Sequence, residues 1–283
     1  MRFAFFGDVV GRSGRDGLAE HLPHLRRRLG LEFVAVNAEN AAGGFGITES
    51  TARELFAAGA DCLTLGNHSW DQREALTYIL REPRLIRPLN YPVLSDAPGR
   101  GSQLFDTESG KRVLVVNLLG RVHMDAIDDA FSAVDAELSA CPLGQACDAI
   151  IVDMHAEATS EKMAMGHFCD GRASLVVGTH THVPTADAQI LNNGTAYQTD
   201  AGACADYDSV IGNQKEEPLR RFTTRISGGR YQPAEGPATV CGVFVETDPK
   251  TGLAHRIEPI RIGGRLSETV PVVEAAVSPA PAP

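Results

Sequence analysis

Five short apolar stretches of the sequence are each followed by polar side chains that could bind metal ions. In chain order these side chains are Asp8, Glu39, Asn40, Asn67, His68, His155, His180 and His182. Carboxylate and amide oxygens combined with imidazole nitrogens suit Mn, Fe, Zn and similar divalent ions. The set exceeds the three or four ligands that one zinc ion needs, which favours two ions sharing a bridging carboxylate. With two carboxylates only, such a centre stays electropositive enough to receive a phosphate anion.

Each of these residues also has an ordinary structural explanation. Asn40 and Asn67 could form turns at strand ends, and Asp8 could cap a helix. The remaining histidines are interpreted as core or surface residues: His21, His24, His123, His167 and His255. The Gly7-x-x-x-Gly11 spacing does not match the glycine loops that bind nucleotides. The coincidence of five strand ends carrying ligand-type residues is what favours one shared site.

These five apolar stretches and a sixth at 112–120 are typical of strands that are covered on both faces. They are "RFAFF" at 2–6, "EFVAVN" at 32–37, "DCLTLG" at 61–66, "RVLVVNLLG" at 112–120, "AIIVDM" at 149–154 and "SLVVG" at 174–178. In an open α/β sheet, ligands gather beyond the carboxyl ends of the strands. Side chains from position 8 to position 182 are therefore expected to converge on one crevice.

Helical patterns separate the early strands. Leucines 18, 22, 25 and 29 recur at helical spacing and stop at Gly30, although Pro23 predicts a kink or a break. "TESTARELFAAGA" predicts a helix that is capped by Thr48, and "DQREALTYILRE" predicts another after the third strand. The alternation of strand and helix favours a largely parallel sheet in the first third of the chain.

The pattern changes after about residue 185. "AQILNNGTAYQTD", "RRFTTRI" and "TVCGVFVETDPKTGLAHRIEPIRI" alternate in polarity between turn residues, which predicts antiparallel strands and hairpins. We expect one domain over residues 1–265, followed by a Pro- and Ala-rich disordered tail over 266–283.

Composition narrows the class of protein further. A formal charge of −10 argues against broad neutralisation of nucleic-acid phosphates, although ligands of nucleotide size remain compatible. The six cysteines are scattered without a C-x-x-C pair, so reduced buried thiols are expected. The sequence shows neither a signal-peptide pattern nor a long apolar stretch, from which we predict a cytoplasmic protein without membrane contact.

The order of the motifs identifies a family. G-D, a strand-end acidic residue, G-N-H, a strand-end His and G-x-H-x-H resemble the calcineurin-like metallophosphoesterase superfamily. The segments "GDVVGRSGRD", "VNAENAAGGFGIT", "LGNHSWD", "DMHAEATSEKMAMG" and "VVGTHTHVPTAD" are similar to the YmdB subfamily of bacterial phosphodiesterases. The resemblance extends to about residue 263.

This resemblance implies an α/β fold, a two-sheet αββα sandwich of mixed sheets flanked by helices. It also implies a dinuclear centre that hydrolyses cyclic nucleotides through a hydroxide bridging the metals. The 2′,3′-cyclic nucleotides are favoured as substrates, and 3′,5′-cyclic AMP is an alternative. By residue matching, one ion is held by Asp8, Glu39, Asn40 and His182, and the other by Glu39, Asn67, His155 and His180. Glu39 bridges the two.

The sequence departs from the wider superfamily at Val10, where most members have a ligand histidine, and at Glu39, where most have Asp. We expect Asn40 to replace the missing imidazole. An amide oxygen makes that site harder and mildly favours Fe or Mn over Zn, with Mg a further alternative.

His68 is the candidate to protonate the leaving ribose oxygen, and Asp71 is a candidate to orient it. The glycine-rich stretch 41–46 either shapes a substrate pocket or is an ordinary turn. Glu157, Thr159, Ser160 and Glu161 either support the site or begin a helix.

Two alternatives stay open. The first is a phosphomonoesterase or nucleotidase on the same site, and the second is a non-catalytic regulator that binds a nucleotide. The expected partners are a small nucleotide, RNA ends and, on the resemblance alone, further copies of the chain in a homo-oligomer.

Overall fold

The computed structural model describes residues 1–273, so residues 274–283 of the predicted tail lie outside the described residues. The strands are β1 (Arg2–Phe6), β2 (Asp8–Val9), β3 (Phe33–Asn37), β4 (Cys62–Thr64), β5 (Ser102–Asp106), β6 (Arg112–Leu119), β7 (Ala149–His155), β8 (Leu175–Thr179), β9 (Gln189–Ile190), β10 (Ala196–Gln198), β11 (Ala203–Asp206), β12 (Ala238–Thr247) and β13 (Ala254–Ile262). The helices are α1 (Gly11–Leu29), α2 (Glu49–Ala58), α3 (Ala75–Tyr78), α4 (Ala130–Ala140), α5 (Thr159–Phe168) and α6 (Glu216–Thr224).

These strands form two mixed sheets. The first has the order β2-β11-β12-β1-β3-β4, with β13 paired to β12, and the second has the order β5-β6-β7-β8-β10-β9. In the first sheet β1, β3 and β4 are parallel, as the strand and helix alternation predicts, while β12 runs antiparallel beside β1. The α/β class with two sheets flanked by helices is confirmed.

Alternation along β1 explains how the layers stack. Phe3 and Phe5 enter the core between the two sheets, where they join residues of β6, β7 and β8. Ala4 and Phe6 point to the opposite face and pack with leucines of α1 and α2. A third core lies under α4 and α5 on the outer face of the second sheet. Because both faces of the strands are buried, their sequences read as nearly continuous apolar runs.

The helices mostly follow the sequence signals. Helix α1 continues through Pro23 without the predicted break and ends at Gly30, whose φ of 64° provides the left-handed cap. Thr48 caps α2 through a hydrogen bond from the Thr51 N–H. The helix predicted over 71–82 is reduced to the single turn of α3, because the loop that carries Asn67 and His68 extends up to it.

The segment "RRFTTRI" was wrongly predicted as a strand. Its first residues belong to α6, which is stabilised by the Glu217–Arg221 ion pair at 2.6 Å, one helical turn apart. The predicted hairpins are present, with β9 and β10 joined around Asn193-Gly194 and β12 and β13 joined around residues 248–253.

Residues 266–273 of the predicted tail pack against the domain. The backbones of Arg261 and Thr269 exchange two hydrogen bonds, and Val270 and Val273 contact the core beneath α1. All six cysteines are free, and all but Cys141 are buried. Within residues 1–273, the helices are too short or too polar for any of them to cross a membrane.

Candidate metal centre

The seven predicted metal ligands come together where the carboxyl ends of the two sheets meet. Asp8 lies in β2, and Glu39, Asn40 and Asn67 follow β3 and β4 of the first sheet. His155 ends β7, and His180 and His182 follow β8 of the second sheet. Neither sheet alone carries the full set.

Four of these side chains form a tight cluster, which we call the His155 group: Glu39, Asn67, His155 and His180. The His155 Nε2 atom lies 3.0 Å from Glu39 Oε1, 3.0 Å from Asn67 Oδ1 and 3.1 Å from His180 Nδ1. All of these atoms carry lone pairs. Because such atoms repel one another unless a cation or a proton lies between them, the donor set fits a divalent ion.

The shell around the His155 group leaves these lone pairs free. His155 Nδ1 lies 2.9 Å from the Thr179 hydroxyl, which donates to Asp153 at 2.6 Å, so Nδ1 can carry the hydrogen and Nε2 can ligate. Glu157 Oε2 lies 3.2 Å from His180 Nε2 and favours the corresponding tautomer there.

The other three ligands form the Asp8 group: Asp8, Asn40 and His182. Asp8 Oδ1 and Asn40 Oδ1 are buried, and neither has a hydrogen-bond partner within residues 1–273. Two other polar atoms are engaged: Asn40 Nδ2 donates to the Gly44 carbonyl at 2.9 Å, and His182 Nδ1 lies 2.7 Å from the Ile211 carbonyl. His182 Nε2 is 3.8 Å from Asp8 Oδ1. Buried oxygens without a partner cost folding free energy, so these two fit the ligand set of a second cation.

His180 and His182 do not lie on the extended segment that their spacing suggested. Their φ angles are 93° and 64°, a region that non-glycine residues seldom adopt. The intervening Thr181 is held by Asp200 Oδ2, which accepts from its N–H at 3.1 Å and its hydroxyl at 2.7 Å. The buried Lys162 ammonium donates to the same oxygen at 2.7 Å and fixes it.

Gly66 explains how Glu39 and His155 approach so closely. A Cβ atom at this position would lie 2.3 Å from Glu39 Oε2 and 2.3 Å from His155 Nε2. Both contacts are far inside van der Waals distance. The glycine of the G-N-H motif therefore keeps open the space between two ligands.

The charges of the two groups are linked. Burial opposes ionisation of Glu39, but the neighbouring His155 outweighs it and lowers the pKa of Glu39 to about 2. Burial likewise opposes protonation of His155, but Glu39 and Asp8 raise its pKa to about 9. Burial raises the pKa of Asp8. Burial and the charge of His155 lower the pKa of His180 to about 3.

His68 lies beside the His155 group without joining it. Its backbone N–H donates to Glu39 Oε2 at 2.9 Å, and its Nδ1 is 2.8 Å from Asp71 Oδ2. The Phe45 ring packs edge-on against the imidazole, with 5.1 Å between ring centroids. Asp71 thus lies where an orienting carboxylate would be needed, a point that the sequence left open.

Other outcomes refine the sequence interpretation. Val10 has no ligand character and packs with Ala203 and Ala205 in a small apolar cluster. Glu161 accepts hydrogen bonds from the N–H groups of Arg121 and Val122 and so positions that loop. Thr159 and Ser160 begin helix α5.

Sequence reasoning missed two residues near the site, His123 and Asp153. His123, which was interpreted from the sequence as a core or surface residue, lines a pocket of about 330 Å³ over Asn67 and His180. Asp153, buried within the apolar run of β7, accepts from Asn37, Thr64 and Thr179 beneath the His155 group. The available signal was a carboxylate interrupting an otherwise apolar strand.

Comparison with known proteins agrees with the motifs. The chain is 44% identical over 262 residues to the 2′,3′-cyclic-nucleotide 2′-phosphodiesterase of Bacillus subtilis strain 168, a match that covers 93% of this chain and 97% of that protein. A hypothetical protein of Thermus thermophilus superposes with a TM-score of 0.86 at 40% identity, covering 94% of this chain and all of the other. A phosphatase of Mycoplasma pneumoniae gives 0.85 at 34% identity, covering 93% of each chain. The model of the YmdB-like protein family matches residues 4–260. The chain belongs to the YmdB-like family.

Proposed function

We propose that this protein is a dinuclear metal-dependent phosphodiesterase that hydrolyses 2′,3′-cyclic nucleotides. The observation that carries the proposal is the pair of ligand groups at one edge of the sandwich. One group converges on His155 Nε2 within about 3 Å, and the other keeps two buried oxygens that have no hydrogen-bond partner among residues 1–273. The relative from Bacillus subtilis supports the choice of substrate.

The residues suggest how two divalent ions are held. Glu39, Asn67, His155 and His180 would hold one ion, while Asp8, Asn40 and His182, together with Glu39, would hold the other. Bound ions would supply Lewis-acid activation of water and neutralise the charge of the phosphate. The hard oxygens of the Asp8 group favour Fe or Mn.

His68 supplies the proton for the leaving group. Water adds to phosphorus and loses one proton to the solvent, the bond between phosphorus and O2′ breaks, and the proton on His68 Nε2 passes to O2′ to leave a 3′-phosphate. A proton from the solvent then restores His68. Asp71 holds the Nδ1 side of the ring and so directs Nε2 toward the substrate. His68 acts here as general acid and Asp71 as a positioning residue.

The same proposal covers cellular context. Six free cysteines fit a reducing cytoplasm. The homo-oligomer expected from the resemblance stays a prediction, which light scattering of the purified protein tests.

The deciding experiment couples elemental analysis to a substrate panel. We expect about two divalent ions per chain and faster turnover of 2′,3′-cyclic nucleotides than of 3′,5′-cyclic AMP or nucleoside monophosphates. Fewer than about one ion per chain with no turnover after reconstitution with Mn or Fe would refute the proposal. Release of inorganic phosphate from monophosphates as the fastest reaction would make the protein a phosphatase instead.

A further inference from the structure

A second pocket lies beside His68. It has a volume of about 620 Å³, within the range of ligand sites. One side is formed by the 42–45 loop with Asp71 and Gln72, and the other by Arg221 and residues 230–232. Phe45 and Asp71, which contact His68, are part of its lining. The pocket therefore lies next to His68, the proposed proton donor.

The two arginines of this pocket have different surroundings. Arg221 is engaged, because its guanidinium pairs with Glu217 at 2.6 Å and lies 4.1 Å from the centroid of the Tyr231 ring. Arg230 is exposed and makes no hydrogen bond or ion pair within residues 1–273. Its guanidinium is free to bind an anion, and arginine is well suited to bidentate phosphate recognition.

The segment that carries Arg230 is attached to the metal centre. Gln214 N–H donates to the Gln232 carbonyl at 2.8 Å, and Ala234 N–H donates to the Gly212 carbonyl at 2.8 Å. The adjacent Ile211 carbonyl is the partner of His182 Nδ1 at 2.7 Å. These bonds connect the segment to a proposed ligand, so Arg230 lies on a segment that is tied to the metal centre rather than on a detached loop.

A free 2′,3′-cyclic mononucleotide gives this arginine nothing to bind. Its single phosphate is the reacting group, which the metal centre takes. The terminal nucleotide of an RNA chain carries the same cyclic phosphate and, in addition, a phosphodiester on its 5′ oxygen. Tyr231 and Phe45 add aromatic surface, on which unpaired bases commonly stack.

We infer that the physiological substrate is the 2′,3′-cyclic phosphate end of an RNA chain, whose penultimate phosphate is bound by Arg230. This inference rests on the proposed function and names the substrate class of the same site. The chain's net charge of −10 opposes wide contact with RNA, so recognition is confined to the terminal nucleotides.

The test compares adenosine 2′,3′-cyclic phosphate with the dinucleotide ApA ending in a 2′,3′-cyclic phosphate. We expect kcat/KM to favour the dinucleotide by about tenfold, the effect of one charge-assisted phosphate contact, mainly through KM. Arg230→Gln should remove that preference while leaving the mononucleotide within about twofold, and Arg230→Lys should retain part of it. Arg220→Gln, on α6 outside the pocket, is the matched control and should keep the preference.

Equal kcat/KM values for the two substrates in the wild type, or an unchanged preference in Arg230→Gln, would overturn the inference. Calorimetric binding of the products, adenosine 3′-phosphate and ApA 3′-phosphate, provides a readout independent of turnover. If the protein hydrolyses neither substrate, the proposed function fails. The role of Arg230 would then still be supported if the wild type binds ApA 3′-phosphate more tightly than adenosine 3′-phosphate and Arg230→Gln loses this difference. Equal binding of the two products by the wild type would refute that role.

Discussion

The His155 group and the Asp8 group contain similar residues but differ in the contacts that their polar atoms make without a metal ion. In the His155 group the ligand atoms contact one another, so a proton shared between Glu39 and His155 can hold them together. In the Asp8 group, Asp8 Oδ1 and Asn40 Oδ1 are buried, and neither has a partner among the described residues. In the His155 group, an incoming ion would replace the proton shared between Glu39 and His155. In the Asp8 group, the unpartnered oxygens reduce the folding free energy of the metal-free protein, and a bound ion would offset that loss.

The largest expected effect comes from closing the space inside the His155 group. Gly66→Ala places a Cβ atom 2.3 Å from ligand atoms of both Glu39 and His155, so the two cannot keep their positions. We expect loss of one ion per chain and a fall in turnover of more than about 100-fold. Gly229→Ala, whose added Cβ meets open space and whose backbone is outside the left-handed region, is the control and should retain both ions. Two ions and normal turnover in Gly66→Ala would contradict the described geometry.

The next prediction distinguishes between two roles of His68, general acid and metal ligand. His68→Ala should lower turnover by roughly 10²- to 10⁴-fold, because the leaving oxygen loses its proton donor. The metal content should stay unchanged, since only the backbone N–H of His68 contacts Glu39. Elemental analysis decides the matter: an ion lost in this variant would place His68 among the ligands. Asp71→Asn, which removes only the orienting charge, should have a smaller effect in the same direction.

A smaller change should empty the Asp8 group alone. In Asn40→Ala the amide oxygen is removed, while the contacts within the His155 group are untouched. The expected metal content is about one ion per chain in place of two, with turnover reduced by about 10- to 100-fold. Asn67→Ala is the matched variant for the other group. Loss of both ions from either variant would mean that the two groups bind as one unit.

The smallest expected effect is on thermal stability. Asp8→Asn should be more stable than the wild type without metal and less stable than it with metal. Burial raises the pKa of Asp8, so its ionised form costs stability in the metal-free protein once the pH rises above the carboxyl's ordinary value. At neutral pH the chelated variant should melt about 2–4 °C above the chelated wild type, while with Mn added the wild type should be the more stable. Thermal unfolding with and without chelator measures both. A chelated variant that melts lower than the chelated wild type would show that the carboxylate is stabilised by protein groups alone.

The sequence predicted the convergence of the ligands because parallel strands deliver their carboxyl ends to one edge. Strand β1 matches its predicted bounds, since "RFAFF" is an apolar run closed by Gly7. The left-handed backbone at His180 and His182 escaped prediction, because it depends on Asp200 and Lys162, which are distant in sequence. Asp153 escaped because one carboxylate in a buried strand has no local partner. Helix α6 escaped because its apolar residues are exposed, so its pattern does not report burial.

The origin of the ligands in two different sheets makes the metal centre a late event in folding. Residues 8–67 belong to the first sheet and residues 155–182 to the second, and the first sheet is completed only when β12 inserts beside β1. Contacts of such long sequence separation form slowly. A chain that binds both ions has therefore already docked its two halves. Ion uptake during refolding would report the assembled sandwich, whereas probes of secondary structure report only its parts.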